Sequence, residues 1–250
     1  MASKRARILI VNDDGIRGPG LQPLREALAV FAEVTVLVPE RERSAQGHTL
    51  TLHKPLRIKK HNSGIYTANG SPADCARLGV LKLLRGRADL IASGINAGYN
   101  VAQDVVYSGT VAAALEGAIM KIPSFAVSLG SGGSDYREAA GLAVRIAREL
   151  LRRGLPAGMC LNANVPPLPY GRLRGTEVTR LGERVYDNRI TTRKDPLGRE
   201  YHWLAGKLLP TAARAGTDVG ALRRNKASVT PLSLDLTREA FLSRLRAWRL

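Results

Sequence analysis

The chain has 250 residues, of which 44% are hydrophobic and 5% aromatic, and its formal net charge is +17. This length permits one large α/β domain or two small ones. No apolar run approaches the roughly 18 to 20 residues that a membrane-crossing helix needs, so we do not expect an integral membrane protein. The charge favours polyanions, membranes or phosphorylated small molecules as partners, but the few aromatic residues argue against nucleic-acid binding as the primary role.

The N-terminal residues are basic, but the apolar stretch after them is interrupted by Asn12, Asp13 and Asp14. We therefore expect no signal peptide and a cytoplasmic protein. Only two cysteines occur, Cys75 and Cys160. Their number and separation favour buried thiols over a disulfide framework or a cysteine metal site.

The predicted elements alternate between strand and helix over the first two thirds of the chain. Strands are predicted at 7–12, 34–38, 89–93, 123–129 and 159–164, and helices at 21–31, 71–84, 110–120 and 136–152. Apolar strands that alternate with helices indicate a parallel sheet with helices on both faces. A hairpin with strands at 51–58 and 65–68, joined by turn-prone residues 61–64, is predicted as an insertion. A long loop is predicted over 94–108.

The composition changes after Pro166, where prolines and short alternating strands appear. The polar stretch 184–199 contains a turn signal at 195–198 and predicts a protruding β-hairpin arm. A strand is predicted at 227–232. We expect a single domain over 1–250, with a core at about 1–165 plus 216–236, an arm at about 184–204 and a basic C-terminal helix at about 237–249.

Two adjacent carboxylates follow the first predicted strand. Asp13 and Asp14 stand where an apolar strand ends, and open α/β sheets bind ligands outside the carboxyl ends of their strands. Neighbouring carboxylates repel unless a cation lies between them, and Mg²⁺ or Mn²⁺ prefers oxygen ligands. The pair predicts a divalent metal site, against the simpler alternative of a solvated acidic turn. The acids precede Gly15, Gly18 and Gly20, where they would repel a pyrophosphate, so these glycines do not indicate a dinucleotide-binding fold.

Two later loops open onto the same edge of the predicted sheet. Ser44 follows the second strand and can offer a hydroxyl oxygen to the ion, and Asn96 follows another central strand and can offer an amide oxygen. Taken alone, each loop has a simpler interpretation, because serine commonly caps or solvates and glycine with asparagine commonly forms turns.

A further polar segment, Ser108, Gly109 and Thr110, opens the alanine-rich helix. The free N–H groups and the dipole of a helix N-terminus attract anions, and the two hydroxyls add donors. The segment predicts a phosphate-binding site. Simple helix capping by Ser108 explains the same residue, and the two interpretations are compatible.

These segments together resemble the SurE-type survival proteins, a family of metal-dependent 5′- and 3′-nucleotidases. The resemblance covers nearly the whole chain and rests on residues 8–20, 70–75, 93–100, 104–117, 216–220 and 228–232. Its most specific part combines the run 93–96 with the run 107–111. Two departures, Ala45 after Ser44 and the pair Lys226 and Ala227 where the family commonly has Tyr-Val, concern loop shape and C-terminal contacts and remove no ligand.

The resemblance implies a Rossmann-like core in which the metal ligands are Asp13, Asp14, Ser44 and Asn96 and the phosphate-contacting loop is Ser108, Gly109 and Thr110. It implies one divalent ion, Mg²⁺ or Mn²⁺, in each subunit. It also implies an arm near 184–203 that is exchanged between subunits of a homodimer or homotetramer. The implied reaction is hydrolysis of 5′- and also 3′-nucleoside monophosphates to nucleoside and phosphate, with short polyphosphate as a further candidate substrate.

We assign the catalytic roles to Asp13, Asp14 and Ser108. Asp13 is expected to orient or deprotonate a water molecule, while Ser108, Thr110 and the helix N-terminus stabilise charge on the phosphoryl group. An aspartyl-phosphate intermediate on Asp13 or Asp14 is the open alternative. His48 is a candidate general acid for the leaving oxygen, although a surface histidine is the simpler interpretation.

A second class of protein also carries an acidic, Mg²⁺-binding pair after its first strand. This is a receiver domain of the response-regulator type, here joined to a basic DNA-binding segment. The sequence lacks the expected phosphoacceptor aspartate after Ala92, where Ser93 stands, and lacks a lysine at the end of 125–129. No convincing helix-turn-helix pattern follows. The nucleotidase is the preferred hypothesis and the receiver the alternative.

Overall fold

The computed structural model describes residues 5–62 and 64–248. In chain order the strands are β1 (Ala6–Val11), β2 (Ala32–Pro39), β3 (Ile58–Asn62), β4 (Ile65–Ala68), β5 (Leu90–Ala97), β6 (Ser124–Leu129), β7 (Met159–Val165), β8 (Thr176–Val178), β9 (Val185–Tyr186), β10 (Ile190–Lys194), β11 (Glu200–Leu204), β12 (Leu208–Leu209) and β13 (Ala227–Ser233). The α-helices are α1 (Leu21–Ala29), α2 (Pro72–Leu78), α3 (Gly109–Ile119), α4 (Arg137–Arg153), α5 (Asp218–Arg223) and α6 (Glu239–Arg246). The predicted helix 71–84 continues after α2 as a π-helix over Gly79–Leu83, and a 3-10 helix, Ala102–Val106, lies within the predicted loop.

The main sheet has nine strands in the order β3-β4-β2-β1-β5-β6-β7-β13-β8. Strands β4, β2, β1, β5, β6 and β7 are parallel to their neighbours in that run, and β1 is central, since Ile8 pairs with Val34 of β2 and with Leu90 of β5. The edge strand β3 and the late strand β13 are antiparallel to β4 and β7. The predicted class, a Rossmann-like α/β fold with a mostly parallel sheet, is confirmed.

Helices cover both faces of the sheet because its central strands are apolar on both sides. Helices α1 and α4 pack on one face, and α2 and α3 on the other. In α4 the buried residues recur every three or four positions, from Ala139 to Leu150, while the arginines between them face outward. This spacing is the pattern from which the sequence predicts α4. Helix α3 is buried over almost its whole length, and its N-terminus reaches the carboxyl edge of the sheet.

Three predictions need correction. The predicted long loop over 94–108 is wrong at its start, because β5 continues to Ala97 through a register irregularity opposite β6, so Asn96 lies within a strand. The first strand of the predicted hairpin is Ile58–Asn62, since 51–57 contains Pro55 and lies outside the sheet. The predicted C-terminal helix is shorter, running from Glu239 to Arg246. Residues 1–4, Ser63 in the predicted turn and Arg249 in the predicted helix lie outside the described residues.

The predicted arm is confirmed as a protruding hairpin of β10 and β11. Every residue of the two strands is exposed, and Ile190 pairs with Leu204 at the base. The turn at its tip is closed by the backbone N–H of Asp195, which donates to the carbonyl oxygen of Arg199 at 2.9 Å. Helix α6 likewise has no buried residue. Over the described residues, no helix has both the length and the apolar character that spanning a bilayer requires.

Candidate metal and phosphate site

The carboxyl ends of β1 and β5, the loop after β2 and the N-terminus of α3 surround one cavity of about 430 Å³. Its lining residues are mostly polar: Asp13, Asp14, Glu42, Ser44, Ala45, Asn96, Ala97, Asn100, Asp104, Tyr107 and Ser108. The four residues predicted as metal ligands, together with Ser108, therefore lie around a single space. They come from sites up to 95 positions apart in the chain, and parallel strands bring them to one edge.

Asp13 is buried and held by the first turn of α3. The hydroxyl of Thr110 donates to its Oδ1 at 2.5 Å. The helix can come this close because position 109 is glycine, since a Cβ there would lie 2.9 Å from the Asp13 Cβ and 3.1 Å from its Oδ2. One carboxylate oxygen is thus fixed by the protein. The Thr110 hydroxyl is used by Asp13, so a phosphate contact from Thr110 would come from its backbone N–H.

Asp14 differs from Asp13 because no side chain among the described residues donates to it, although a backbone hydrogen bond from Ala97 partly offsets the rise in its pKa. Its Oδ2 is buried and accepts no hydrogen bond from the described residues. Burial raises the pKa of both carboxyls above their usual range, and the negative charge of Asp13 adds to the rise at Asp14, whose pKa reaches about 6. A buried oxygen without a donor, beside a second carboxylate, is the arrangement that a cation stabilises.

The loop after β2 carries Ser44 into the cavity. The backbone N–H of Arg43 donates to the carbonyl oxygen of Asp13 at 2.8 Å, which joins this loop to the end of β1. The Ser44 hydroxyl donates to Glu42 Oε1 at 2.8 Å. The Ser44 oxygen therefore keeps its lone pairs free for another partner.

Asn96 presents its amide oxygen from the end of β5. Its Nδ2 donates to the carbonyl oxygen of Gly98 at 2.8 Å. This bond fixes the amide plane and leaves Oδ1 on the opposite side of the group. Asn100, on the same wall, is anchored to the neighbouring strands through Asn164 Oδ1 at 2.8 Å and Ser128 Oγ at 2.9 Å.

Ser108 caps α3, as the sequence predicted. Its Oγ accepts the backbone N–H of Val111 at 3.1 Å, and the residue is buried at the cavity wall. A hydroxyl that accepts one bond still has its own proton to donate. Capping and anion binding by Ser108 are thus compatible in this geometry.

Sequence reasoning gave no role to two acidic residues that line the cavity. Glu42 belongs to an alternating run of acids and arginines, which is typical of a solvated loop. Asp104 binds the base of the arm, since its Oδ2 accepts from the Arg184 guanidinium at 2.6 Å and from the Tyr186 hydroxyl at 3.0 Å. That contact spans 80 positions, and no local pattern reveals it.

His48 is not among the residues that line the cavity. Its Nε2 lies 2.7 Å from Glu116 Oε2, and the residue belongs to a neighbouring apolar groove. Gly109 and Thr110 also stand back from the cavity, behind Asp13 and Ser108. The general-acid prediction for His48 thus receives no support from the geometry.

The donor set suits a hard divalent cation. It has two carboxylates, a hydroxyl and an amide oxygen, all of which Mg²⁺ and Mn²⁺ accept, whereas sulfur and imidazole ligands typical of zinc are missing from the lining. Within residues 5–62 and 64–248, no three His, Cys, Asp or Glu side chains are grouped for metal binding. A site here has to combine the two carboxylates with neutral oxygens.

The fold and the cavity define a Rossmann-like α/β protein with an acid-rich pocket at the carboxyl edge of its sheet. The model of the family described as survival protein SurE matches residues 8–188. A 5′-nucleotidase SurE of Geobacter sulfurreducens is 49% identical over 245 residues, which cover 97% of this chain and 94% of the relative. One of Moorella thermoacetica is 48% identical over 247 residues, covering 96% and 95%. The crystal structure of SurE from Aquifex aeolicus aligns with a TM-score of 0.86 at 41% identity, over 96% of this chain and 98% of that one.

The chain belongs to the SurE family. The predicted resemblance is confirmed over nearly the full length. The receiver alternative is not supported, because the relatives that match nearly the whole chain are SurE proteins.

Proposed function

We propose that this protein is a metal-dependent phosphomonoesterase that hydrolyses 5′-nucleotides. Its relatives are named 5′-nucleotidases and match it over nearly their whole length. The observation that carries the metal dependence is the buried Oδ2 of Asp14, which has no hydrogen-bond partner within residues 5–62 and 64–248 and belongs to the cavity of Asp13, Ser44, Asn96 and Ser108. A divalent cation would neutralise this oxygen, and the same cation would bind the negatively charged phosphate ester.

The proposed ligands of a single Mg²⁺ or Mn²⁺ ion are Asp13, Asp14, Ser44 and Asn96. The two carboxylates nearly neutralise the doubly charged ion. Ser44 and Asn96 are neutral ligands and add no negative charge that would repel a phosphate, so the ion can still attract one. When bound, such an ion supplies Lewis-acid polarisation of a phosphoryl oxygen and lowers the pKa of water.

The protein groups then have separate tasks in the proposed reaction. Asp13, with Oδ1 fixed by Thr110, orients or accepts a proton from the attacking water through Oδ2. Ser108 and the free N–H groups of the α3 N-terminus bind the phosphoryl oxygens and stabilise the charge that develops on them. A bond forms between the water oxygen and phosphorus, the bond from phosphorus to the nucleoside oxygen breaks, and that oxygen takes up a proton.

An assay of phosphate release tests this function. Purified protein is incubated with 5′- and 3′-nucleoside monophosphates and with short polyphosphate, each with Mg²⁺, Mn²⁺ or a chelator. We expect release from 5′-nucleotides that depends on the divalent ion, and activity in ¹⁸O-water that puts one labelled oxygen into phosphate during a single turnover. Multi-turnover release that persists in chelator would contradict the metal dependence. Water attack on the phosphorus of an aspartyl-phosphate would also label the released phosphate, so that intermediate is tested by acid quench with ³²P-labelled nucleotide. Label trapped on Asp13 or Asp14 would support it.

The protein is also proposed to be a homo-oligomer that pairs through its arm. The arm exposes Ile190, Trp203 and Leu204, with exposed fractions of 63%, 63% and 91%. A two-stranded ribbon with both edges unpaired and large apolar side chains exposed is marginal alone and favours pairing with another chain.

A further inference from the structure

One buried carboxylate with two partly exposed partners lies behind the α3 wall of the cavity. Glu116, about two turns beyond the start of α3, has a side chain with no exposed surface. Its Oε2 lies 2.7 Å from His48 Nε2, and its Oε1 forms an ion pair with the Arg77 guanidinium from the end of α2. The cluster therefore joins three segments: α3, α2 and the loop after β2.

A buried carboxylate without partners is strongly unfavourable, so Glu116 stabilises whatever conformation brings donors to it. Arg77 is supplied by a helix that packs directly on α3. His48 is supplied by a segment, 40–57, in which the described structure has neither strand nor helix. The contact with Glu116 is thus a specific restraint on that segment.

The contact between His48 and Glu116 restrains the chain four residues after Ser44. On one side of Ser44, the backbone N–H of Arg43 donates to the carbonyl oxygen of Asp13, which follows β1. On the other side, the backbone N–H of Gly47 donates to the carbonyl oxygen of Tyr107 at 3.0 Å, and His48 follows directly. Gly47 has φ +57°, a left-handed conformation that glycine adopts freely, and it turns the chain toward α3. Ser44 is therefore held between the end of β1 and the helix that begins after Ser108.

We propose that His48 is a positioning residue rather than a proton donor. Its contact with Glu116 fixes the Ser44 loop against α3, so that the proposed metal ligand Ser44 and the phosphate-binding end of α3 keep a constant spacing. The proposal rests on the metal site proposed above. It replaces the general-acid role, because Nε2 of His48 is engaged by Glu116 and the residue does not line the cavity.

Metal affinity without substrate gives the first test. Mn²⁺ binding is measured from the decrease of the free-ion electron paramagnetic resonance signal. The proteins compared are wild type, His48→Ala, His48→Gln and His53→Ala. We expect His48→Ala to weaken binding by about tenfold, as changes behind a metal ligand commonly do. Glutamine places an N–H donor near the position of Nε2 and restores affinity to within about threefold of wild type. His53, exposed in the same segment, is the matched control and leaves affinity unchanged. Wild-type affinity in His48→Ala would overturn the proposal.

The leaving group separates positioning from proton donation. Rates are measured with AMP, whose leaving alkoxide needs a proton, and with 4-nitrophenyl phosphate, whose leaving group does not. Positioning predicts that His48→Ala lowers kcat/KM for both esters by the same factor, that excess Mn²⁺ recovers much of it, and that His48→Gln is close to wild type. A loss confined to AMP that glutamine does not repair would overturn the proposal in favour of a general acid.

Hydrogen exchange tests the restraint independently of metal and substrate. In metal-free protein we expect the Gly47 amide to exchange about tenfold faster in His48→Ala than in wild type or His48→Gln, with unchanged circular dichroism. Equal exchange in all three overturns the proposal. If His48→Ala does not fold, His48→Asn, whose amide is too short to reach Glu116, replaces it. Failure of wild type to bind Mn²⁺ or release phosphate contradicts the proposed function, and the exchange result still judges the restraint.

Discussion

Asp14 illustrates how a functional residue destabilises the protein that carries it. Its half-buried carboxylate lies next to that of Asp13, and its buried Oδ2 has no donor among the described residues. Removing an unpaired buried charge commonly stabilises a fold, whereas its cation partner can be bound only while the charge is present. Stability and metal binding are therefore expected to change in opposite directions at this residue.

Asp14→Asn tests that opposition. In chelator at pH 8, we expect the variant to melt at the same temperature as wild type or higher. With Mn²⁺ at about 100 times its wild-type Kd, wild type gains about 2.7 kcal/mol by mass action and the variant gains much less. Scanning calorimetry with and without the ion measures both effects, and phosphate release should fall by about a hundredfold or more. An equal Mn²⁺-dependent gain in both proteins would contradict the role of Asp14 as a ligand.

Gly109 lets α3 approach both Asp13 and Pro72, whose Cγ would lie 3.0 Å from a Cβ at this position. A Cβ at this position would meet the Asp13 side chain at 2.9 Å, so Gly109→Ala must displace the carboxylate or the helix. We expect kcat/KM to fall by at least tenfold, with the fold retained. Gly141→Ala in α4 is the matched control, because its nearest new neighbour is the flexible end of Arg145 at 3.7 Å. That control should keep full activity and gain roughly 0.5 to 1 kcal/mol of helix stability.

At the scale of elements, α2 depends on its capping box. The Ser71 Oγ accepts the Asp74 backbone N–H at 3.0 Å and donates to the carbonyl oxygen of Thr49. The Asp74 carboxylate accepts the backbone N–H of Ser71 at 2.8 Å and the backbone N–H of Thr51 at 2.9 Å. Ser71→Ala is expected to lower the free energy of unfolding by about 1 to 2 kcal/mol. Urea denaturation measures this, with exposed Ser134→Ala as a control expected within about 0.5 kcal/mol of wild type.

The same box predicts a pH dependence. Burial alone would raise the pKa of Asp74, but the bonds from Thr51 and Ser71 outweigh it, and the pKa is lowered overall. A lowered native pKa means that the ionised carboxylate stabilises the fold above the ordinary value, and that this contribution is lost as pH falls through the native value. Wild type should therefore exceed Asp74→Asn in stability at pH 7, with the difference shrinking toward pH 3. A difference that grows on acidification would contradict the assignment.

The elements also show what local sequence can and cannot predict. Helix α4 and strands β1 and β6 follow from apolar spacing, and α2 from its cap and Pro72, because these signals act within a few residues. The prediction that the strand ends at Ser93 was wrong. Gly94 and Asn96 are residue types common in turns, but here they continue β5 through an irregularity opposite β6. Asp13 and Asp14 were found because a strand ends at them. The contacts of Glu116 with His48 and of Asp104 with Arg184 join distant segments, so they became visible only in the fold.

At the scale of the whole molecule, the arm exposes large apolar side chains that pairing with another chain would bury. Trp203 and Tyr201 lie on one face of the ribbon, and Ile190 and Leu204 on the other, so folding the arm back could cover only one face. We expect more than a monomer by light scattering at micromolar concentration. Trp203→Ser combined with Leu204→Ser should shift the mass toward the monomer, whereas Leu197→Ser at the exposed tip should not. A monomeric wild type would contradict pairing through the arm.

The central claim is that a divalent ion lies between the ends of β1 and β5, held by neighbouring carboxylates and two neutral oxygens. Anomalous diffraction from a crystal grown with Mn²⁺ tests it most directly. The account predicts one strong peak in each subunit, about 2.0 to 2.3 Å from oxygens of Asp13, Asp14 and Asn96, with Ser44 in the same coordination shell. A crystal with saturating Mn²⁺ and no peak at this position, or with its peak elsewhere, would contradict the account.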